Sequence, residues 1–195
     1  MRILRFDNAT RVLHWCHALF FIWLLITGIY VFFTPKSLLG DPFMKMIHVY
    51  ASLPFILSPL IIYLYGRSPR NDIKKLMEWT YDDMKWFIGL LKKNKIVFRG
   101  KFNAWQKANF LMSLLIISGL SITGFVVWMK SMFSRSFVEM NFVIHDSLAI
   151  LSILILSGHI ILAMYYRESM KGIIYGTIDA GWAKEHYPDW FLKRD

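Results

Sequence analysis

Residues 137–166 read FVEMNFVIHDSLAILSILILSGHIILAMYY, a stretch long and apolar enough to cross a lipid bilayer as one helix. His145 and His159 lie within it, 14 residues apart. On an α-helix this spacing puts both side chains on one face, about 40° apart around the axis and about 21 Å apart along it. The segment therefore presents one imidazole near each side of a hydrocarbon core about 30 Å thick.

Three other stretches are long and apolar enough to span a membrane, which takes about 20 mostly apolar residues. The four predicted spans are about 12–33, 43–65, 104–129 and 137–166, and they take up about half of the 195 residues. The remaining segments are short or amphipathic, so no independent soluble catalytic domain fits between them. We predict an all-α integral membrane protein, a four-transmembrane-helix bundle that forms a single domain over residues 1–195.

Two segments outside the spans have patterns of their own. Between Ile73 and Leu91, apolar residues recur at three- and four-residue steps with charged residues between them, which predicts an amphipathic helix. We expect this helix to lie in the cytoplasmic headgroup layer or to pack on the end of the bundle, and a docking face for a partner is the alternative. The aromatic and charged segment 182–191, which contains His186, is expected to lie along the membrane interface.

The formal net charge of +10 is unevenly distributed along the chain. Segments 1–11, 66–107 and 167–195 hold 19 of the 23 Lys and Arg residues, whereas the connections on the other side hold only four. The positive-inside rule therefore predicts a multi-pass protein of the cell inner (cytoplasmic) membrane with both termini in the cytoplasm. Since topology explains the basic residues, we expect the lipid bilayer as a partner and no nucleic acid.

This topology pairs four histidines by their depth in the membrane. His14 lies close to the inner end of the first span, and His48 lies close to the outer end of the second. Because the fourth span runs from outside to inside, His145 matches His48 near the outer face and His159 matches His14 near the inner face. His17 is an alternative to His14, since it lies one turn away on nearly the same side.

Two imidazoles from facing helices suit haem iron, which takes one axial ligand on each side of the porphyrin. Zinc would need four ligands, and no Cys or carboxylate pattern supplies the other two. The single cysteine, Cys16, also excludes an iron–sulfur cluster of the chain's own and a covalently attached haem. Two imidazoles leave no open position for oxygen or a substrate, so we predict two b-type haems that carry electrons, held between helices at two depths.

Gly28 and Asp146, which are predicted to lie near His48 and His145, each have two interpretations. Gly28 lies 14 residues after His14, at the predicted depth of the outer haem, and would let a porphyrin or a neighbouring helix come close. Asp146 is an acid beside His145. It either hydrogen-bonds a ligand or a haem edge or faces a polar partner.

Several short motifs, spread along nearly the whole chain, point to one protein family. They are His14-Trp15 after a basic N-terminus, Ile47-His48, Gly100-Lys-Phe-Asn-Ala-Trp-Gln-Lys107, Ile144-His145, Lys171-Gly-Ile-Ile-Tyr-Gly176 and Trp182-Ala-Lys-Glu-His-Tyr-Pro-Asp-Trp190. With these motifs the chain resembles the cytochrome b (gamma) subunit of respiratory, quinone-reducing formate dehydrogenase.

The resemblance implies more than the histidine spacing does. It favours His14 over His17, because the family's ligand immediately precedes a tryptophan. It implies a menaquinone site beside the inner haem, formed partly by Asn103 and Gln106, although Asn103 would equally cap the third span. It also implies partners: a molybdenum- or tungsten-containing subunit that oxidises formate, and an iron–sulfur subunit that passes electrons to the outer haem. This chain would then be the electron-transfer and quinone-reducing subunit, and not the formate-oxidising one.

Two alternatives stay open at the level of the sequence. The same histidine pattern also fits the cytochrome b subunit of a membrane hydrogenase or of a thiosulfate or polysulfide reductase. A haem-free membrane scaffold or transporter, using its histidines for protons or metal, would belong to a different class of protein. The visible spectrum of the purified protein separates the haem-containing class from the haem-free one.

Overall fold

Four long helices dominate the computed structural model, which describes residues 1–34, 42–91 and 100–193, without the side chains of Leu90 and Leu91. In chain order the elements are β1 (Arg2–Leu4), α1 (Asn8–Phe33), α2 (Pro42–Tyr65), α3 (Arg67–Met77), α4 (Tyr81–Leu91), α5 (Ala104–Trp128), α6 (Arg135–Tyr165), α7 (Arg167–Tyr175), β2 (Thr177–Asp179), α8 (Ala180–His186) and α9 (Pro188–Leu192).

Helices α1, α2, α5 and α6 are each long and apolar enough to cross a membrane, so the predicted all-α bundle with four spans is confirmed. They pack as two hairpins, α1 with α2 and α5 with α6. Most of their large apolar side chains are exposed, as expected for a surface that meets lipid. Several of the few buried side chains in these helices are polar, among them Thr27, Thr123, Asn141 and Ser152.

Side-chain caps begin three of these helices. The carboxylate of Asp7 accepts the backbone N–H of Thr10 at 2.9 Å and caps α1, and Ser134 caps α6. The third is Asn103, which caps α5. Helix α2 continues through Pro54 and Pro59, and the first outer connection, with Pro35 and Gly40, lies outside the described residues.

The connection between α2 and α5 differs from the single amphipathic helix predicted from its pattern. It forms two helices, α3 and α4, which are separated at residues 78–80. Asp83 explains the break, because its carboxylate accepts both the backbone N–H and the hydroxyl of Thr80, at 2.7 and 2.9 Å. Both helices pack against α5 at the end of the bundle, which was one of the two expected locations. Residues 92–99, the rest of this connection, lie outside the described part of the chain.

Segments near the two ends of the chain meet at one end of the bundle. Strands β1 and β2 pair antiparallel, with Ile3 opposite Ile178; α7 precedes β2 in the chain, and α8 and α9 follow it. We call β1, β2 and α7–α9 the terminal cap. The guanidinium of Arg5 lies over the ring of Tyr187, 4.2 Å from its centroid, and Tyr187 packs against Ala104 of α5. Much of the segment 182–191 therefore folds back onto the protein, and its location along the membrane interface stays a prediction.

Candidate haem sites

The structure brings four histidines together in two pairs. The rings of His48 and His145 have centroids 6.4 Å apart, and those of His14 and His159 have centroids 6.3 Å apart. We call His48 and His145 the outer pair and His14 and His159 the inner pair, after the orientation predicted from charge. Each pair joins one helix of the first hairpin to α6, so the facing rings lie between the two hairpins.

These separations can be tested against the size of a haem iron site. A bond between a metal ion and an imidazole nitrogen is about 2 Å long. Because a ring nitrogen lies roughly 1 Å from the centre of its ring, two imidazoles on opposite sides of one iron have centroids about 6 Å apart. The measured 6.3 and 6.4 Å fit this arrangement. Both pairs can therefore hold one iron between two nitrogen atoms.

Among the described residues, no group of three or more His, Cys, Asp or Glu side chains is close enough to hold a metal ion. A bare metal ion such as zinc needs about four protein ligands, or three and an open position. Paired imidazoles suit haem, because the porphyrin supplies the remaining four nitrogen ligands of the iron. Within the described part of the chain, the histidine pairs thus fit haem better than they fit a metal ion alone.

Each ring of the outer pair touches a buried threonine in its own hairpin. Oγ1 of Thr27 in α1 lies 2.9 Å from Nδ1 of His48 in α2. Oγ1 of Thr123 in α5 lies 2.9 Å from Nδ1 of His145 in α6. Both contacts use Nδ1, so the other ring nitrogen, Nε2, is left as the iron-binding atom of each histidine.

The same contact occurs twice because the two hairpins repeat a short motif. Residues 26–28 and 122–124 both read Ile-Thr-Gly, about 20 residues before the histidine of the following helix. The glycine of each motif also faces the ring, since an added Cβ would lie 3.4 Å from Cε1 of His48 in the first hairpin and 3.2 Å from Cε1 of His145 in the second. Gly28 is therefore a contact for a histidine ring. Sequence reasoning missed both threonines, and the repeated motif was the signal that could have found them.

The inner pair has weaker polar contacts. Nδ2 of Asn109 in α5 lies 3.4 Å from Nδ1 of His159, and the sequence analysis had not singled out Asn109. The ring of His14 packs edge-on against the indole of Trp15, with centroids 5.3 Å apart. No side chain in the described ranges hydrogen-bonds the ring of His14. The two pairs therefore differ in how firmly their rings are held.

His17 and Asp146, the two ambiguous residues, each lie near a paired histidine: His17 interacts electrostatically with His14, and Asp146 with His145. His17 stacks on Phe55 of α2 with centroids 4.2 Å apart, and its ring faces no other histidine. Its buried Nδ1 has no hydrogen-bond partner among the described residues. Asp146 is partly exposed, and no described residue gives it a hydrogen bond or an ion pair. Both suggested roles of Asp146, on a haem and on a polar partner, stay predictions.

The two predicted quinone residues bind each other. The side chain of Asn103 accepts the backbone N–H of Gln106 at 2.8 Å, and the side chain of Gln106 accepts the backbone N–H of Asn103 at 3.0 Å. This reciprocal arrangement is a capping box, which satisfies two free N–H groups at the start of α5. The alternative role of Asn103, helix capping, is thus present, while quinone binding stays a prediction.

Four apolar spans and two histidine pairs that fit haem define a class of protein, the membrane cytochromes b. Residues 5–176 match the model of the prokaryotic cytochrome b561 family, and the chain belongs to this family. Membership implies haem b as a cofactor and electron transport as the general role.

Similar proteins are found among formate dehydrogenase subunits. The formate dehydrogenase cytochrome b556 subunit of Haemophilus influenzae is 28% identical over 97% of this chain and 82% of its own length. The nitrate-inducible formate dehydrogenase cytochrome b556(Fdn) subunit of Escherichia coli is 27% identical, over 97% of this chain and 90% of its own length. A second Escherichia coli subunit, cytochrome b556(fdo), is 22% identical over 97% of this chain and 92% of its own length. The resemblance read from the sequence motifs is confirmed.

Proposed function

We propose that this chain is the di-haem cytochrome b subunit of a formate dehydrogenase complex, which carries electrons from an iron–sulfur partner subunit to menaquinone. The observation that carries this proposal is the presence of two histidine pairs, with ring separations of 6.4 and 6.3 Å, along one membrane-spanning helix. The assignment to a formate dehydrogenase complex rests on its relatives, each of which is a cytochrome b556 subunit of a formate dehydrogenase.

The role of the four histidines is to hold two haems b at different depths. Haem b, when bound, supplies reversible one-electron transfer at its iron. His48 and His145 would hold the outer haem and His14 and His159 the inner haem, each through one ring nitrogen. With both histidines of a pair bound to it, the iron would have no open position for oxygen or a substrate, so each site would serve electron transfer alone.

Quinone reduction is proposed at the inner end of α5, where Asn103 and Gln106 begin the helix. Their amide groups are hydrogen-bond donors and acceptors of the kind that suit a quinone carbonyl. Asn109 supports this location, because it lies on the next turn of α5 and reaches Nδ1 of His159 in the inner pair. A quinone here would disturb the capping box, since the same amide atoms now bind the backbone.

The proposed location is the cell inner membrane, with both termini in the cytoplasm. Strand β1, α3, α4 and the terminal cap lie at one end of the bundle, and this end carries most of the Lys and Arg residues in the described part of the chain. Excess positive charge marks the cytoplasmic side of a bacterial membrane protein. We also propose that residues 1–195 act as one domain, because β1 at the start of the chain pairs with β2 near its end.

Co-purification and haem spectroscopy test this function together. The full chain, isolated from its own membranes in mild detergent, should bring with it an iron–sulfur subunit and a molybdenum or tungsten subunit that oxidises formate. Added formate should reduce its b-type haem bands. Reduction by hydrogen instead, with a hydrogenase in the complex, would contradict the formate assignment but leave the cytochrome intact. Co-purification with the subunits of a thiosulfate or polysulfide reductase would likewise contradict the formate assignment and leave the cytochrome assignment intact.

A further inference from the structure

The hydrogen bonds of Thr27 and Thr123 fix which atom of each outer imidazole carries a proton. A hydroxyl has one proton to donate. The hydroxyl of Thr27 lies 2.9 Å from the backbone carbonyl of Trp23 and 3.1 Å from that of Leu24, and donating to either leaves its lone pairs to face Nδ1 of His48. The hydroxyl of Thr123 likewise donates to the backbone carbonyl of Gly119 at 2.7 Å, and its lone pairs face Nδ1 of His145. The rings of His48 and His145 also hydrogen-bond the backbone carbonyls of Leu24 and Leu120, which can only accept. In both rings we therefore place the proton on Nδ1, which shares it between the threonine and the carbonyl.

This proton placement has two consequences for a metal bound to the ring. A neutral imidazole with its proton on Nδ1 presents the lone pair of Nε2, which is the form that binds iron. An imidazole that donates its N–H to a firm acceptor also becomes a better electron donor, which favours the oxidised iron and lowers its reduction potential. Both threonines are buried, with 5% of their surface exposed, so water does not compete for these contacts.

We propose that Thr27 and Thr123 are positioning residues that lock the tautomer of the outer pair and lower the midpoint potential of the haem it holds. This inference rests on the proposed function, because it requires a haem between His48 and His145. The two contacts act together, since one supports each axial ligand of the same iron.

The inner pair lacks an equivalent support. His159 meets an amide group of Asn109 at 3.4 Å, a distance at the limit of a hydrogen bond. The ring of His14 has no hydrogen-bond partner among the described residues. The inner haem should therefore have the higher midpoint potential, which makes electron transfer from the outer to the inner side of the membrane favourable. By this account the threonines keep the midpoint potential of the outer haem below that of the inner haem.

A redox titration of the full chain in native membranes tests this proposal. The α-bands of the two haems are assigned by His48→Ala, which should remove the outer haem alone. Thr27→Val and Thr123→Val keep the side-chain shape and remove the hydroxyl. We expect the midpoint potential of the outer haem to rise in each variant and to rise further in the double variant, while that of the inner haem stays unchanged.

Two sets of controls separate the hydrogen bond from packing. Thr27→Ser and Thr123→Ser keep the hydroxyl and should keep the wild-type potential. Ser121→Ala removes a hydroxyl of α5 that donates to the carbonyl of Ile117 at 2.8 Å and should leave both potentials unchanged. Loss of the outer haem from the valine variants alone, with the serine variants intact, would also support a positioning role.

The opposite outcomes would overturn the inference. One such outcome is an unchanged midpoint potential of the outer haem in the haem-loaded double valine variant. Another is a shift of that potential in the serine variants as large as in the valine variants. The third is loss of the outer haem from the serine variants as well as from the valine variants. A shift confined to the inner haem would also overturn it. Absence of haem from the wild-type chain would instead contradict the proposed function, so the two failures are distinguishable.

Discussion

Nζ of Lys107 lies 2.8 Å from Oδ2 of Asp83, and both side chains are buried where α4 meets the first turn of α5. The same ammonium group donates to the backbone carbonyl of Glu78 at 2.6 Å. The carboxylate of Asp83 also accepts the backbone N–H of Thr80, the residue before α4. This ion pair therefore fixes the break between α3 and α4 and holds the amphipathic connection on the end of the bundle.

Breaking this pair from one side should destabilise the protein strongly. Lys107→Met leaves the carboxylate of Asp83 buried without its cation, which costs about 3–5 kcal/mol when one partner of a buried pair is lost. We expect a clear fall in the thermal unfolding midpoint in detergent, followed by far-ultraviolet circular dichroism. Glu139→Gln is the control, because its pair with Arg135 is exposed and worth about 0–1 kcal/mol. Equal midpoints for the two variants would show that the buried pair does not hold the connection.

His14 and His17 should behave differently when replaced. His14→Ala removes a proposed ligand of the inner haem, so the purified chain should keep about one haem of two. His17→Ala should keep both, because the His17 ring stacks on Phe55 and faces no second histidine. The measurement is haem content per chain by pyridine haemochrome. Loss of a haem from the His17 variant, with none lost from the His14 variant, would reverse the assignment of the inner ligand.

A serine at position 103 should separate helix capping from quinone binding. Serine caps helices about as well as asparagine, so Asn103→Ser should keep the stability of α5 within a few tenths of a kcal/mol. If the amide binds quinone, the rate of menaquinone analogue reduction should still fall, with the haem spectrum unchanged. Asn103→Ala is the comparison, since it removes both roles and also costs about 1 kcal/mol. Wild-type quinone reduction in the serine variant would leave capping as the only role of Asn103.

Acid should loosen the terminal cap. The hydrogen bond from Lys171 lowers the pKa of Glu168, and the hydrogen bond from the backbone N–H of Trp182 lowers the pKa of Asp179. A carboxylate with a lowered pKa stabilises the fold above its unfolded value of about 4, and this stabilisation is lost as the pH falls below that value.

Hydrogen exchange of residues 177–186, corrected for the intrinsic effect of pH, measures this loosening. Protection should decline between about pH 5 and pH 3 and should stay constant near neutral pH. The variant carrying Glu168→Gln and Asp179→Asn should lack most of this pH dependence. Protection that is unchanged or stronger in acid would contradict the assigned role of the two carboxylates.

The sequence carried enough information for the spans because membrane insertion depends on properties that are local to each segment. Long apolar runs define the helices, and the uneven distribution of Lys and Arg predicts their direction. With the direction given, the helical rise alone pairs His48 with His145 and His14 with His159 by depth. The structure brings these same rings together.

Other features depend on contacts between distant segments and could not be predicted in the same way. The sheet of the terminal cap joins Ile3 to Ile178 through strands of three residues, which have no periodicity long enough to detect. The break before α4 depends on the side chain of Asp83, and Lys107 completes this site from α5. The contact of Thr27 with His48 is also between helices, although the repeated Ile-Thr-Gly marked its position.

The number of haems b per chain tests the central claim most directly. The full chain should contain two haems b, with sharp b-type α-bands after reduction and two separate midpoint potentials in a redox titration. A reduced spectrum without these bands, or a haem content well below two per chain in a folded preparation, would contradict the account.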